Sequence, residues 1–347
     1  MSDYHLVATM NSRARLSSIR IGGQSAPTPA EAKQMLRGFA AHAHLDLSGR
    51  VLQESQHPFG QGAYCDVYKG LSLVHAKCVA IKRFRKYAYG GLSEKFEKGL
   101  ARELEIWAKL RHPNVLPLLG YIDDDDAGYP ALISEWMPNG TVLQYCVAHP
   151  AACILNLVKG IAAGLFYLHS KGVVHSDMKS DNVLVTASGI PQLADFGVSR
   201  LFVQTGTVDS TSNLKGSVRW TSIELLRGEA HAQRPLAESK ESRQLISLQA
   251  DIWAFGMTVY EILTKDRPYY HLPTDFQVFF AIISGLLPSV PCRIEQDIAE
   301  KDEMILWTLC RRCWSAKPED RPTMLDVTFE LSSGCRVRLI KVIEVFH

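Results

Sequence analysis

The sequence has little net charge, no long apolar run and no paired metal-ligand spacing, and each absence removes a class of function. Its 38 Lys and Arg against 36 Asp and Glu leave a formal charge of +2, far from the basic excess with which nucleic-acid binders neutralise phosphates. No nucleic-acid partner is expected. No apolar run reaches the roughly 20 residues that cross a bilayer: Lys159 breaks the run after Cys153, and Asp251 and Glu261 bracket the one around Trp253. No membrane span is expected either. The eight cysteines are scattered and there is no secretory leader, the pattern of free thiols in a reducing compartment, which points to the cytoplasm. Cys310-Arg-Arg-Cys313 has the spacing of a metal knuckle or redox motif, but no second Cys or His pair follows it, so it reads as packed helix thiols.

What is present is a globular composition, 46% hydrophobic and 21% charged over 347 residues, enough for one large two-lobed domain or for two domains. Residues 1–45 are poor in large apolar side chains and carry Gly22, Gly23, Pro27 and Pro29, so the segment is expected to be largely disordered. Within it Thr28-Pro29-Ala30-Glu31 is a capping-box pattern leading into Met35, Leu36 and Phe39, and a short docking helix and a frayed leader both remain open. From Val51 to Ile133 the pattern is mainly of strands, including Val67-Tyr68 and Val79-Ala80-Ile81, interrupted by a charged helix over about Leu92 to Leu110. Beyond Val142 helical spacing dominates, at Ala152 to His169, Asp251 to Leu263 and Glu303 to Cys313. A small β-rich lobe is thus followed by a larger helical one, joined near Glu135 to Gly140. The acidic run Asp123 to Asp126 reads as a solvated hairpin loop, and Gly228 to Gln244 as an exposed polar insertion.

Several short constellations carry chemistry. Phe59-Gly60-Gln61-Gly62 puts two glycines in a turn between strands, where backbone N–H groups can approach phosphate oxygens unobstructed; an ordinary hairpin is the alternative. Lys82 ends the apolar strand Val79-Ala80-Ile81, a costly place for an ammonium without a carboxylate or phosphate, and Glu103 in the charged helix is a candidate partner. Val173-Val174 and Val183-Leu184-Val185 flank His175, Ser176, Asp177, Lys179, Ser180, Asp181 and Asn182. Apolar runs of that kind usually enter a core as strands, so this polar stretch should be a loop held at the core's edge. Asp195, before Phe196-Gly197, places another carboxylate at a strand end; with the carbonyl oxygen of Asn182 it would suit Mg²⁺, which prefers hard oxygen ligands.

The order Gly-rich turn, strand Lys, helix Glu, His-x-Asp with Asn five residues after the Asp, then Asp-Phe-Gly resembles the eukaryotic protein kinase family. The resemblance runs from about Leu52 to Leu331. Later segments agree: Gly216 to Glu224 is similar to the end of an activation segment, Asp251-Ile252-Trp253-Ala254-Phe255-Gly256 to the family's D-x-W-x-x-G helix, and Cys313-Trp314 through Arg321-Pro322-Thr323 to its closing motifs. The "RHPNVLPLLGY" and "RCWSAKPEDRPT" segments are nearest to the tyrosine kinase-like (TKL) group of Ser/Thr kinases. The resemblance implies an α+β, bilobal kinase fold, with a kinase domain over 46–331 (N-lobe about 46–135, C-lobe about 139–331) and a tail at 332–347. It further implies ATP and Mg²⁺ as cofactors, with Mn²⁺ as a substitute, and a protein substrate with a Ser/Thr acceptor. Asp177 and Lys179 would be catalytic, and Asn182 and Asp195 would hold the metal. Phe59, Gly60, Gly62, Val67, Ala80, Lys82, Glu103, Ser134, Glu135, Met137 and Leu184 would form the ATP site, with Ser134 as gatekeeper. Glu224 and Arg321 should form a buried structural ion pair.

Four departures stand against the family pattern: Cys65 for the third glycine, Ile223 for the Pro of A-P-E, the 228–244 insertion, and Ser176 where many kinases have Arg. A guanidinium there needs a phosphate on the activation segment to compensate it; serine does not, so activity is expected not to depend strictly on phosphorylation at Thr205, Thr207, Ser210, Thr211 or Ser212. The insertion and residues 1–45 are candidate sites for a regulatory partner. A rival reading is a pseudokinase, an ATP-binding scaffold, but Lys82, Glu103, Asp177, Asn182 and Asp195 are all present.

Overall fold

The computed structural model describes residues 45–61, 65–84, 104–122, 131–196, 217–228, 240–296 and 299–333. The capping-box pattern at Thr28, the acidic run, Gly62, Glu103, the five activation-segment hydroxyl residues and residues 334–347 lie outside them. Within the described residues, strands run at β1 (Val51–Gln53), β2 (Gly60–Gln61), β3 (Cys65–Ser72), β4 (Lys77–Phe84), β5 (Leu118–Ile122) and β6 (Ala131–Glu135). They make one sheet in the order β1-β3-β4-β6-β5, with β2 paired to β3.

Successive side chains on a strand point to opposite faces, and the register sorts them. Val79, Ile81 and Ile133 pack with Leu47 and Ala131 in a small core, flanked by Val51, Tyr68, Leu119 and Ile122. The other face carries Val67 opposite Lys82 and Ala80 opposite Ser134, so the residues expected around ATP share one face. Ahead of β1, the chain runs along the edge of β5: Leu47 N–H donates to Tyr121 O at 2.8 Å, and Tyr121 N–H to Leu45 O at 2.9 Å. That approach requires Gly120, where a Cβ would lie 2.3 Å from Leu45 O. Residues 104–109 are helical, the described end of the helix expected from Leu92.

The second lobe holds α1 (Val142–Ala148), α2 (Ile154–Ser170), the hairpin β7 (Val183–Val185) and β8 (Pro191–Leu193), α3 (Ile223–Leu226), α4 (Lys240–Thr264), α5 (Asp275–Ile283), α6 (Cys292–Glu295), α7 (Lys301–Cys313) and α8 (Met324–Ser332). Thr141 starts α1 through a reciprocal capping box with Gln144, satisfying backbone donors that a helix start leaves open. Helix α4 is the lobe's centre: from Ile252 to Ile262 every residue is buried, the signature of a helix enclosed on all sides. It begins at Lys240, well before the expected Asp251, so the end of the polar insertion is helical. Residues 240–250 contain no Gly or Pro and are rich in Lys, Glu, Arg, Gln and Leu, which favour helix. Cys310 and Cys313 of α7 are fully buried, and burial raises both thiol pKa values.

The Glu224–Arg321 pair is present, with Nη1 to Oε1 at 2.8 Å and Nη2 to Oε2 at 2.7 Å. Arg321 also donates to Ser315 O and Gln249 O and lies over the Trp253 ring. Ile223, in place of proline, is buried at 3% exposure and fills apolar space in the core.

Candidate active site

The polar stretch from His175 to Asn182 is a loop at the core's edge, as its sequence predicts, but only one of its flanking apolar runs is a strand. Val183–Val185 forms β7, whereas Val173-Val174 stays irregular. The reason is where its backbone bonds go: Val173 N–H closes the end of α2 on Leu168 O, and the next amides turn to a carboxylate. Asp251, 2% exposed, accepts from His175 N at 2.7 Å, Ser176 N at 2.8 Å and His169 Nε2 at 3.0 Å. Ser176 has φ 71°, a left-handed backbone that non-glycine residues rarely adopt, so the two hydrogen bonds from His175 and Ser176 hold a strained reversal just before Asp177.

That reversal aims Asp177 into a cluster. Lys179 Nζ lies 2.9 Å and 3.2 Å from its two carboxylate oxygens, and Ser217 Oγ donates to Oδ1 at 3.2 Å. Lys179 Nζ also reaches Ser217 Oγ at 3.3 Å. Asn182 Nδ2 donates to the main-chain O of Asp177 at 2.7 Å and to Oδ2 at 2.9 Å; with its nitrogen so committed, the Asn182 carbonyl oxygen is the atom left for a cation. Met178, at 1% exposure, anchors the loop between the two catalytic candidates by packing into the core.

His175 is fully buried and its Nδ1 accepts from Asp177 N–H at 3.3 Å. Burial lowers its pKa, which suits a neutral hydrogen-bonder and not an acid or base at neutral pH. Phe196 stacks edge-on to it, and edge-on to Trp107 from the 104–109 helix, tying the first lobe's helix to the loop.

Across the cleft, Lys82 Nζ pairs with Asp195 Oδ1. Glu103, the partner expected from sequence, lies outside the described residues, so Asp195 is the counter-charge that the structure shows. Burial alone would lower the Lys82 pKa, but Asp195, with further help from Cys65 and Asp177, leaves it raised; in the same way burial opposes ionisation of Asp195 and Lys82 overcomes it, holding the carboxyl below its ordinary range. Asp195 itself has φ 60°, a second unusual backbone at a candidate ligand.

At the junction of the lobes, Trp136 N–H donates to Cys78 O, while no described group accepts the amide hydrogen of Met137. Glu135 turns its carboxylate outward to Lys77 at 3.0 Å. Leu184 lies on β7 and is bridged to Thr141. A Cβ on Gly60 would meet nothing within 4 Å, so space lies open beside that turn. Phe59, expected over the adenine, is 74% exposed and stands edge-on against Trp136 with ring centroids 4.7 Å apart. Sequence reasoning missed Trp136, and also Glu261, Ser180 and Trp220, which are joined by hydrogen bonds beneath the loop. The signal for Glu261 was in the text: a carboxylate inside the apolar stripe of α4 must find partners.

A family model described as protein tyrosine and serine/threonine kinase matches residues 53–331. Mitogen-activated protein kinase kinase kinase 3 of Arabidopsis thaliana is 30% identical over 65% of this chain and 32% of its own length. A probable serine/threonine-protein kinase of Dictyostelium discoideum is 28% identical over 77% of this chain and 38% of its own length. Serine/threonine-protein kinase TNNI3K of Homo sapiens is 28% identical over 87% of this chain and 33% of its own length. The chain therefore spans 32–38% of the length of these relatives. Because the matched segment is most of the chain and contains every cleft residue described above, the chain belongs to the protein tyrosine and serine/threonine kinase family.

Proposed function

We propose that this chain is a serine/threonine protein kinase that transfers the γ-phosphoryl group of ATP to a protein hydroxyl, with Mg²⁺ as its metal. The observation that carries the reading is the Asp177 cluster: one carboxylate held by Lys179, Asn182 and Ser217, on the same side of the cleft as Asp195, which Lys82 meets from the other lobe. The residues fit the groups the family uses. Carboxylate and amide oxygens of Asp195 and Asn182 are the hard donors Mg²⁺ takes, and the Met137 amide and the open space beside Gly60 suit an adenine edge and a phosphate chain.

In this reading Lys82 holds the α- and β-phosphates, and Asp195 and Asn182 hold the metal. Bound Mg²⁺ supplies neutralisation of phosphate charge. Asp177 accepts or orients the proton of the acceptor hydroxyl, and Lys179, within reach of both Asp177 and Ser217, offsets charge on the moving phosphoryl group. Catalysis is then mostly positioning and fixed electrostatics. Lys179 two residues after Asp177, and relatives named as serine/threonine kinases or mitogen-activated protein kinase kinase kinases, support a Ser/Thr acceptor and a place in signal transduction.

The proposed kinase domain is 46–331, with residues 1–45, the 228–244 insertion and the 332–347 tail as places for a regulatory partner. No helix among the described residues is long and apolar enough to cross a membrane; the cytoplasm is proposed from the scattered thiols, of which Cys146, Cys310 and Cys313 are buried without disulfides. The test is Mg-ATP-dependent phosphorylation of a generic protein substrate by wild type, Lys82→Met and Asp195→Asn. Transfer by wild type alone is expected; transfer surviving in both variants, or absent in wild type, overturns the reading.

A further inference from the structure

Helix α4 sends two buried carboxylates to the loop that carries Asp177. Asp251 takes the amides of His175 and Ser176. Glu261, about three turns later on the same helix, takes Ser180: its Oε2 accepts from Ser180 N–H at 3.0 Å, and its Oε1 from Ser180 Oγ at 2.9 Å. The two anchors bracket Asp177 and Lys179. Glu261 has a further partner, Trp220 Nε1, which donates to Oε2 at 2.8 Å. Trp220 ends the short 3-10 turn Val218–Trp220, which follows directly on Ser217, the hydroxyl that lies between Lys179 and Asp177.

Glu261 is 1% exposed, and none of these three partners is a cation. A buried carboxylate without a counter-charge costs stability that an apolar side chain in the same place would not, so packing alone does not account for it. What the carboxylate does that Leu or Met could not is join two separate parts of the chain, the catalytic loop at Ser180 and the substrate-facing stretch through the Trp220 indole, on one pair of oxygens.

We propose that Glu261 is a positioning residue for phosphoryl transfer, fixing Asp177 and Lys179 relative to Ser217 by clamping Ser180 and Trp220 to one carboxylate. The inference rests on the kinase activity proposed above. Glutamine can keep the geometry: its carbonyl oxygen accepts from Ser180 N–H and Trp220, and its amide donates to Ser180 Oγ, reversing one hydrogen bond. Alanine removes all three.

The experiment is steady-state phosphorylation of a generic protein substrate with Mg-ATP, with ATP binding followed separately, for wild type, Glu261→Gln and Glu261→Ala. Losing all three hydrogen bonds, Glu261→Ala should lower kcat by about tenfold or more, with ATP affinity unchanged and glutamine recovering most of the rate. Equal kcat in wild type and Glu261→Ala overturns the inference, as does a glutamine variant as slow as alanine or a loss confined to ATP binding. If Glu261→Ala does not fold, Ser180→Ala, Trp220→Phe and their double variant decide. Losses smaller in combination than their product support the shared clamp, and simple multiplication overturns it. Absence of transfer by wild type overturns both readings, and is distinguished from failure of this one alone by an active wild type.

Discussion

Glu224–Arg321 and Lys82–Asp195 both join distant parts of the chain, and they are built differently. Glu224–Arg321 is a two-bond fork closed off from water, with Arg321 further held by two main-chain carbonyls and the face of Trp253. Lys82–Asp195 is a single contact across a cleft, with Asp195 39% exposed on its side chain. The first uses four of the five guanidinium N–H groups and both carboxylate oxygens. Among the described residues, the second leaves the other Asp195 oxygen and two ammonium hydrogens without a partner. Enclosure marks the first pair, and a partly exposed carboxylate marks the second.

The largest effect should come from breaking the enclosed pair. Arg321→Ala strands a buried carboxylate, and loss of one partner of such a pair costs about 3–5 kcal/mol; chemical denaturation should show a fall of that size, with activity lost alongside the fold. Lys82→Met makes the opposite cut. Its thermal midpoint should stay near wild type while phosphoryl transfer falls by roughly 10²–10³-fold, the scale for removing one electrostatic stabiliser of a transition state.

Glu261 sharpens the contrast as a buried carboxylate with no cation among its described partners. Burial pushes its pKa from an ordinary 4.5 up to about 7. The folded state thus holds the proton more tightly than the unfolded chain, so this group's stabilisation is complete below pH 4.5 and is lost as pH rises through about 7. Thermal midpoints measured across that window should decline more steeply in wild type than in Glu261→Gln, which does not titrate. Parallel slopes would show that Glu261 is not the titrating group. The smallest effect should be at Thr323, two residues from Arg321, which caps α8 by accepting from Asp326 N–H. Thr323→Ala should cost about 1 kcal/mol, separating loss of a helix cap from loss of the neighbouring charge.

Much of the architecture was legible because the residues responsible act locally. Strand alternation around Val79 to Lys82, helical spacing in α2 and α7, and the Asp177, Lys179, Asn182 spacing each depend on neighbours a few residues away. What escaped depended on partners far along the chain. Val173-Val174 looks like a strand until Asp251 is known to take the following amides. The start of α4 was obscured because polar helix formers resemble an exposed loop when no apolar stripe marks them. The contact of Lys82 with Asp195 spans 113 positions, and the pairing with Glu103 expected from sequence lies outside the described residues. Glu261 served only to interrupt an apolar run, since nothing local reveals that Ser180 and Trp220 converge on it.

The short run from Leu45 to Leu47 has a consequence for association. A sheet ending at β5 would present open N–H and C=O groups, a template on which another chain could pair. By bonding to Tyr121 on both its N–H and C=O, this run covers that edge where it would be most available, and Leu47 plugs into the small core behind it. Removing residues through Leu47 would therefore uncover a pairing surface and an apolar socket together, and self-association of the shortened protein is the behaviour to expect.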